Sequence, residues 1–524
     1  MLSALPTESV VNILSFFLIH QIHRLQLVSR AWNLFIRTNE SIIYGECAIL
    51  HRFTQAGVLL CDARGSDLGP WLDDLKSWKD LCQRWYRLES NWEGVGRQRP
   101  VKRYFGYETL GVHRLKVDEE HRFVISTHQN GGLVVFSMDQ DRVLFRLSSN
   151  YVPRGAHVEY ADGYMIFDCL DATSLEVWRL QTPTWDGTQV PSDPPNRCRP
   201  HPTQTHASNQ EVEYRDPSGQ GCFSPWAHIC PPTDMCAFRF VYPTLLVGSL
   251  VGQAVYLFDI PSATLVQRVL LNEHRFFTEP DAFLPYLELG QRHIFVCTVH
   301  GILIVPRSNP TINVVAEFPG PEPHMRIRAL SKEALQVTTY SGNAGGLVRC
   351  IIREPTLRRR VSVDDLHAFA AVHVSPDGKD FAAIDLHGLV FLVKDFDRVI
   401  QGECTFSDVT VQIQLDGPAT SLAFEYGRVA VKTTDGVFII NLDSSYHGIF
   451  RSSEPFAYRH PLLPHLTITK LGWFTYGQML KQVTVLQMTK TAVWLNWAPL
   501  KMLMPINRAR TPPPLVCAID FRPR

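Results

Sequence analysis

Seven side chains of metal-ligand type crowd one polar stretch of this 524-residue chain: Cys198, His201, His206, Cys222, His228, Cys230 and Cys236. A zinc site wants Cys or His in close pairs, and these spacings match no common pattern. The stretch from about 181 to 232 is rich in Pro, Thr, Ser, Gln and Asn with little apolar periodicity. It reads as a mobile, solvated loop, with neither a metal site nor a cofactor expected. Elsewhere the chemistry-bearing residues stand alone. His113, His373 and Asp385 fall on strand-like runs and read as structural partners. No phosphate-binding Gly-x-x-x-x-Gly-Lys-Ser/Thr loop occurs, nor a Gly-x-Ser-x-Gly elbow or a His-Glu-x-x-His helix. No catalytic residue is assigned. Two local features suit modification: the basic run Arg358-Arg359-Arg360 ahead of Ser362, and Arg510-Thr511-Pro512 in an extended Pro-rich segment.

The elements that would carry a function are of two kinds. The first forty residues are helical in pattern. Pro6 suits a helix start, Thr7 or a neighbour can cap, and Glu8 favours the positive helix end. Val10, Ile13, Leu14, Phe17 and Leu18 recur at three- and four-residue steps, and Ile22, Leu25, Val28, Trp32, Phe35 and Ile36 continue the apolar set. So short a unit offers more apolar side chains than it can bury within itself.

Leu5-Pro6-x-Glu8, then Ile13-Leu14-Ser15, then Ile22-x-x-Leu25-x-Leu27-Val28-Ser29-Arg30-x-Trp32 resembles the F-box. The chain departs from the family in the turn, where His20 and Gln21 stand in place of a Pro and an acidic residue. The resemblance implies a small helical bundle that docks on the Skp adaptor of cullin-based ubiquitin ligases. Leu5, Pro6, Ile13, Leu14, Phe17, Ile22, Leu25, Val28 and Trp32 would form the adaptor-binding face.

Between Ser77 and Trp92, the residues Trp78, Leu81, Cys82, Trp85 and Leu88 fall at helical spacing behind a candidate Ser77 cap. Lys79, Arg84 and Arg87 interleave with these aromatics, as in a nucleic-acid stacking surface. A Trp stripe at helical period more simply means core, with the basic residues solvated. The segment resembles the helix that joins an F-box to a propeller in F-box/WD-repeat proteins.

Beyond Gly111 helical periodicity gives way to a repeated unit: an apolar strand, a Gly-containing turn, a second apolar strand. The second strands are marked by Val134, Val177, Val255, Leu303, Leu347, Val390, Val437 and Val493. Most steps are close to the period of a four-stranded propeller blade. Eight blades are expected, with seven as the alternative if the weak last unit pairs differently; Leu515 to Ile519 is a candidate closing strand. Radial repetition lets each small sheet bury its faces on neighbours. The repeats resemble WD-repeat proteins, although they lack the Gly-His and Trp-Asp signatures and the lone Trp185-Asp186 lies outside a strand. The expected domains are therefore an all-α F-box-like unit at 1–45, a helical linker at 46–105 and an all-β propeller at 106–524.

Composition narrows the setting. Lys plus Arg equals Asp plus Glu at 51 each, so no overall field draws the chain to nucleic acid or membrane. Twelve scattered Cys without a Cys-x-x-Cys pair argue for reduced thiols. No apolar run reaches the roughly 18 residues of a membrane helix, and no basic residue precedes the Val10–Ile19 run as in a signal peptide. The expected location is cytoplasmic or nuclear. The expected role is a non-catalytic substrate receptor, with the F-box on the adaptor, the adaptor on cullin, and an unidentified target protein on the propeller. A non-ligase propeller scaffold is the alternative, and a propeller enzyme with carboxylates or His gathered in its channel is a third.

Overall fold

The computed structural model describes residues 5–51, 53–64, 70–96, 100–105, 111–140, 142–171, 173–181, 198–210, 219–249, 253–272, 277, 284, 286–298, 301–307, 316–319, 335–339, 347–353, 369–442, 462–463, 466–474, 477–497 and 515–523. Arg358–Ser362, Trp185-Asp186 and Arg510–Pro512 lie outside them.

The N-terminal unit consists of helices α1 (Thr7–Ser15), α2 (Ile19–Val28), α3 (Arg30–Thr38) and α4 (Glu40–Leu50), followed by the short α5 (Leu60–Arg64) and the long α6 (Trp78–Trp92). Pro6 is the residue that caps α1, through its carbonyl, which accepts from Ser9 N at 3.1 Å and Val10 N at 3.2 Å. No side chain caps this helix, Thr7 included. Ser29 caps α3 by accepting from Trp32 N, and Ser77 caps α6 by accepting from Asp80 N, each at 3.2 Å. The turn before α2 is closed by Gln21, whose side-chain oxygen accepts from Leu18 N at 2.9 Å. The α4 and α6 helices share one core of Ile43, Tyr44, Cys47, Leu81, Cys82 and Leu88, all under 3% exposed.

The β-rich part is a seven-bladed propeller. Blade 1 is built from Val112–Asp118, Phe123–His128, Leu133–Ser137 and Val143–Leu147. Blade 2 follows with Val158–Ala161, Tyr164–Asp168, Leu175–Leu180 and Phe223–Ile229; blade 3 with Ala237–Val241, Thr244–Ser249, Ala254–Asp259 and Thr264–Leu270. Blade 4 comprises Tyr286–Leu289, His293–Cys297, Gly301–Pro306 and Ala316–Pro319. Blade 5 comprises Phe369–Val374, Phe381–Asp385, Leu389–Val393 and Thr410–Gln414, and blade 6 Ala419–Glu425, Arg428–Thr433, Val437–Asn441 and Thr467–Leu471. Successive first strands adjoin one another and line the centre. The second and third strands are buried along nearly their whole length, because each blade is covered by a neighbour on both faces. They therefore read as continuous apolar runs rather than alternating ones.

Three features correct the sequence reading. The ring has seven blades, not eight. The hairpin at Leu335–Thr339 and Leu347–Arg353 forms no blade of its own: it adds in parallel to the outer strand of blade 5, Leu335 beside Ile413, and antiparallel to that of blade 6, Leu347 beside Leu471. About two blade periods separate Leu303 from Val390, so a hairpin in that gap mimics a blade. Second, blade 7 is shared by both ends of the chain. Leu486–Met488, Ala492–Trp497 and Leu515–Asp520 are completed by Val101–Phe105, which runs antiparallel with Val101 opposite Asp520. The residues assigned to the linker thus include a propeller strand, and the expected closing strand at Leu515 pairs with it. Third, the stretch 181–232 is not all loop: it contains helix α7 (Pro202–Gln210) and the outer strand of blade 2.

Turn chemistry is local. After Val374 the Ser375 hydroxyl donates to Asp377 Oδ1 at 2.7 Å, and Gly378 takes a φ of +72° that closes the turn.

Candidate protein-docking surfaces

The helices α1–α3 bury part of their apolar set and expose the rest. Leu14 and Ile22 lie within the helical core. Phe17, Leu25 and Trp32 are half-buried against it, and Trp32 meets Phe35 edge to face at 6.3 Å. Leu5, Pro6, Ile13 and Val28 stay on the outside. The structure adds three that sequence reasoning missed: Phe16 at 71%, Leu27 at 73% and Leu34 at 68% exposed. Leu27 stood in the motif, but helical period alone did not say which way it faced. Large apolar side chains concentrated on the outer sides of a small unit mark an interaction surface.

Two of the three basic residues of α6 are held in ion pairs, and Arg87 is exposed. Lys79 pairs with Glu40 at 2.8 Å, and Arg84 pairs with Asp74 at 2.6 Å and Asp80 at 3.2 Å. The far end of α6 is instead wedged into the propeller. Trp92 stacks on Phe521 with centroids 3.8 Å apart, donates Nε1–H to Lys490 O at 3.1 Å, and lies under the Arg428 guanidinium at 4.8 Å. Arg428 also pairs with Glu89, and Asn91 donates to Phe521 O at 2.8 Å. Trp92 is fully buried, and its cluster is continuous with the core of α4 and α6. The helical unit and the ring therefore share one hydrophobic joint at blades 6 and 7.

The centre of the ring is lined by charge from the first strands of consecutive blades. Lys116 Nζ sits 2.7 Å from Glu159, which also takes Arg239 at 3.2 Å and His157 at 3.0 Å. Arg239 Nε reaches Glu288 at 3.0 Å, and His373 Nδ1 reaches the other Glu288 oxygen at 3.0 Å. The second His373 nitrogen bonds the Tyr286 hydroxyl at 2.8 Å. Burial opposes the charge on Glu159, yet Lys116 and Arg239 outweigh it and hold this carboxyl well below the usual range. Glu288 is lowered for the same reason by Arg239 and His373. His373 is thus a structural partner. Asp385 is another, accepting turn amides of His387 at 2.9 Å and Leu389 at 2.8 Å. Burial pushes His113 down to about 4, so it is a neutral wall residue.

This channel does gather carboxylates and His, the arrangement a propeller enzyme would need. Here the carboxylates of Glu159 and Glu288 are each engaged by basic neighbours. Glu425 differs. Burial raises its carboxyl to about 7. It borders a cavity of about 560 Å³ at the end of the ring where first strands turn into second strands. Asp118, with His121 and Tyr160 bonded to it, shares that wall with Lys490.

No protein-family model matches the chain. No curated protein matches it either. Among solved structures it is similar to the computationally designed Ika8 protein at 11% identity and a TM-score of 0.41, over 80% of this chain and 98% of that one. A likeness this loose adds nothing to what the blade register establishes. Among the described residues no helix is long and apolar enough to cross a membrane.

Proposed function

We propose that this chain is a substrate-receptor subunit of a Skp–cullin–F-box ubiquitin ligase, with α1–α3 on the adaptor and the propeller holding a target protein. The observation that carries the reading is the set of large apolar side chains, Leu5, Ile13, Phe16, Leu27, Val28 and Leu34, left exposed on the helices that carry the F-box-like motif. Covering each fully would stabilise a complex by about 1.5–3 kcal/mol before the costs of association. Leu14 and Ile22 would act indirectly, by setting the helix packing that aims the exposed set. The joint at Trp92 supports the same reading, because a receptor that works by proximity needs a stiff spacing between adaptor and target. No bond-making step falls to this chain in that scheme; the transfer chemistry belongs to the partners.

The test is copurification of the full chain with a Skp adaptor and cullin, beside a Leu27→Glu/Leu34→Glu variant whose circular dichroism matches the parent. Retention by the parent and loss by the variant supports the receptor. A folded parent that binds no adaptor overturns it, and leaves a propeller scaffold whose helices dock on another protein.

A further inference from the structure

We draw no further inference here: the strongest candidate, the cavity of about 560 Å³ at the end of the ring where first strands turn into second strands, mixes the carboxyls of Asp118, Asp162 and Glu425 with His121, Arg179 and Lys490, and among the described residues no buried unpartnered side chain lines it to say what it would hold.

Discussion

Replacing Arg239 by Met removes the cation at the middle of the channel network and keeps most of its volume. Arg239 is the bridge between Glu159 and Glu288, at 3.2 and 3.0 Å. Without it Glu159 retains Lys116 and His157, while Glu288 retains His373 and the Leu289 amide. Breaking a buried pair by removing one partner costs about 3–5 kcal/mol, because a charge is left uncompensated. The surviving partners put this case at the low end, near 3 kcal/mol. The sign of the pH dependence follows from the lowered carboxyls. A carboxyl held below its unfolded value of 4.5 contributes stability that is present above that value and lost as pH falls through the folded one. The variant's deficit should therefore be complete at pH 7 and narrow below about pH 4. Guanidinium unfolding followed by Trp fluorescence, at pH 7 and at steps below about pH 4, reads it. A deficit under about 1 kcal/mol at pH 7, or one that does not shrink as pH falls below about 4, would refute the view that these ion pairs hold neighbouring blades in register.

Other outcomes follow from the same structure. Trp92→Ala should cost about 3–5 kcal/mol, seen as a lower guanidinium midpoint in a transition that the helical unit and blade 7 still share; release of the helices with the ring left intact would contradict this. Gly388→Ala should cost about 1–3 kcal/mol, since Gly388 has φ +84° and a Cβ there would strike the Gly417 carbonyl oxygen; a melting temperature equal to the parent's would contradict this. Glu425→Gln should stabilise the protein above pH 7 by up to about 3 kcal/mol and leave it unchanged near pH 4.5. The sign is opposite to that of Glu159: a carboxyl raised to about 7 contributes stability at acid pH that is lost as pH rises through that value.

The sequence carried the architecture further than the arrangement. Six of the eight marker strands are third strands of blades, from Val134 to Val437, and Val493 lies on the second strand of blade 7, because a strand covered on both faces must be apolar throughout. The eighth, at Leu347, has the same apolar character for a different reason: it fills the outer edge between blades 5 and 6. Pattern records that a strand is buried, not by what. The same limit explains the strand at Val101–Phe105, whose partner near Asp520 lies at the other end of the chain. Helical period separated Leu14 and Ile22 from the polar side of their helices, but it could not separate residues facing the bundle from those left outside. Only the packing of α1 on α4, and of α2 on α3, decides that Phe16, Leu27 and Leu34 are uncovered.

The joint between helices and ring ties these points together. The ring closes through a strand that directly follows α6, so the helix that carries the N-terminal unit continues into blade 7. Phe521, one residue beyond the last strand of that blade, is what Trp92 stacks on. Closure of the ring and anchoring of the helices are therefore one event: blade 7 cannot form its edge pairing at Val101 without bringing Trp92 to Phe521. A variant that opens the edge pairing, such as Arg103→Pro on the Val101–Phe105 strand, should then lose ring and joint together. Reporters at Trp92 and in blade 7 should report a single transition, and two separable transitions would mean that the helical unit and the propeller are independently held.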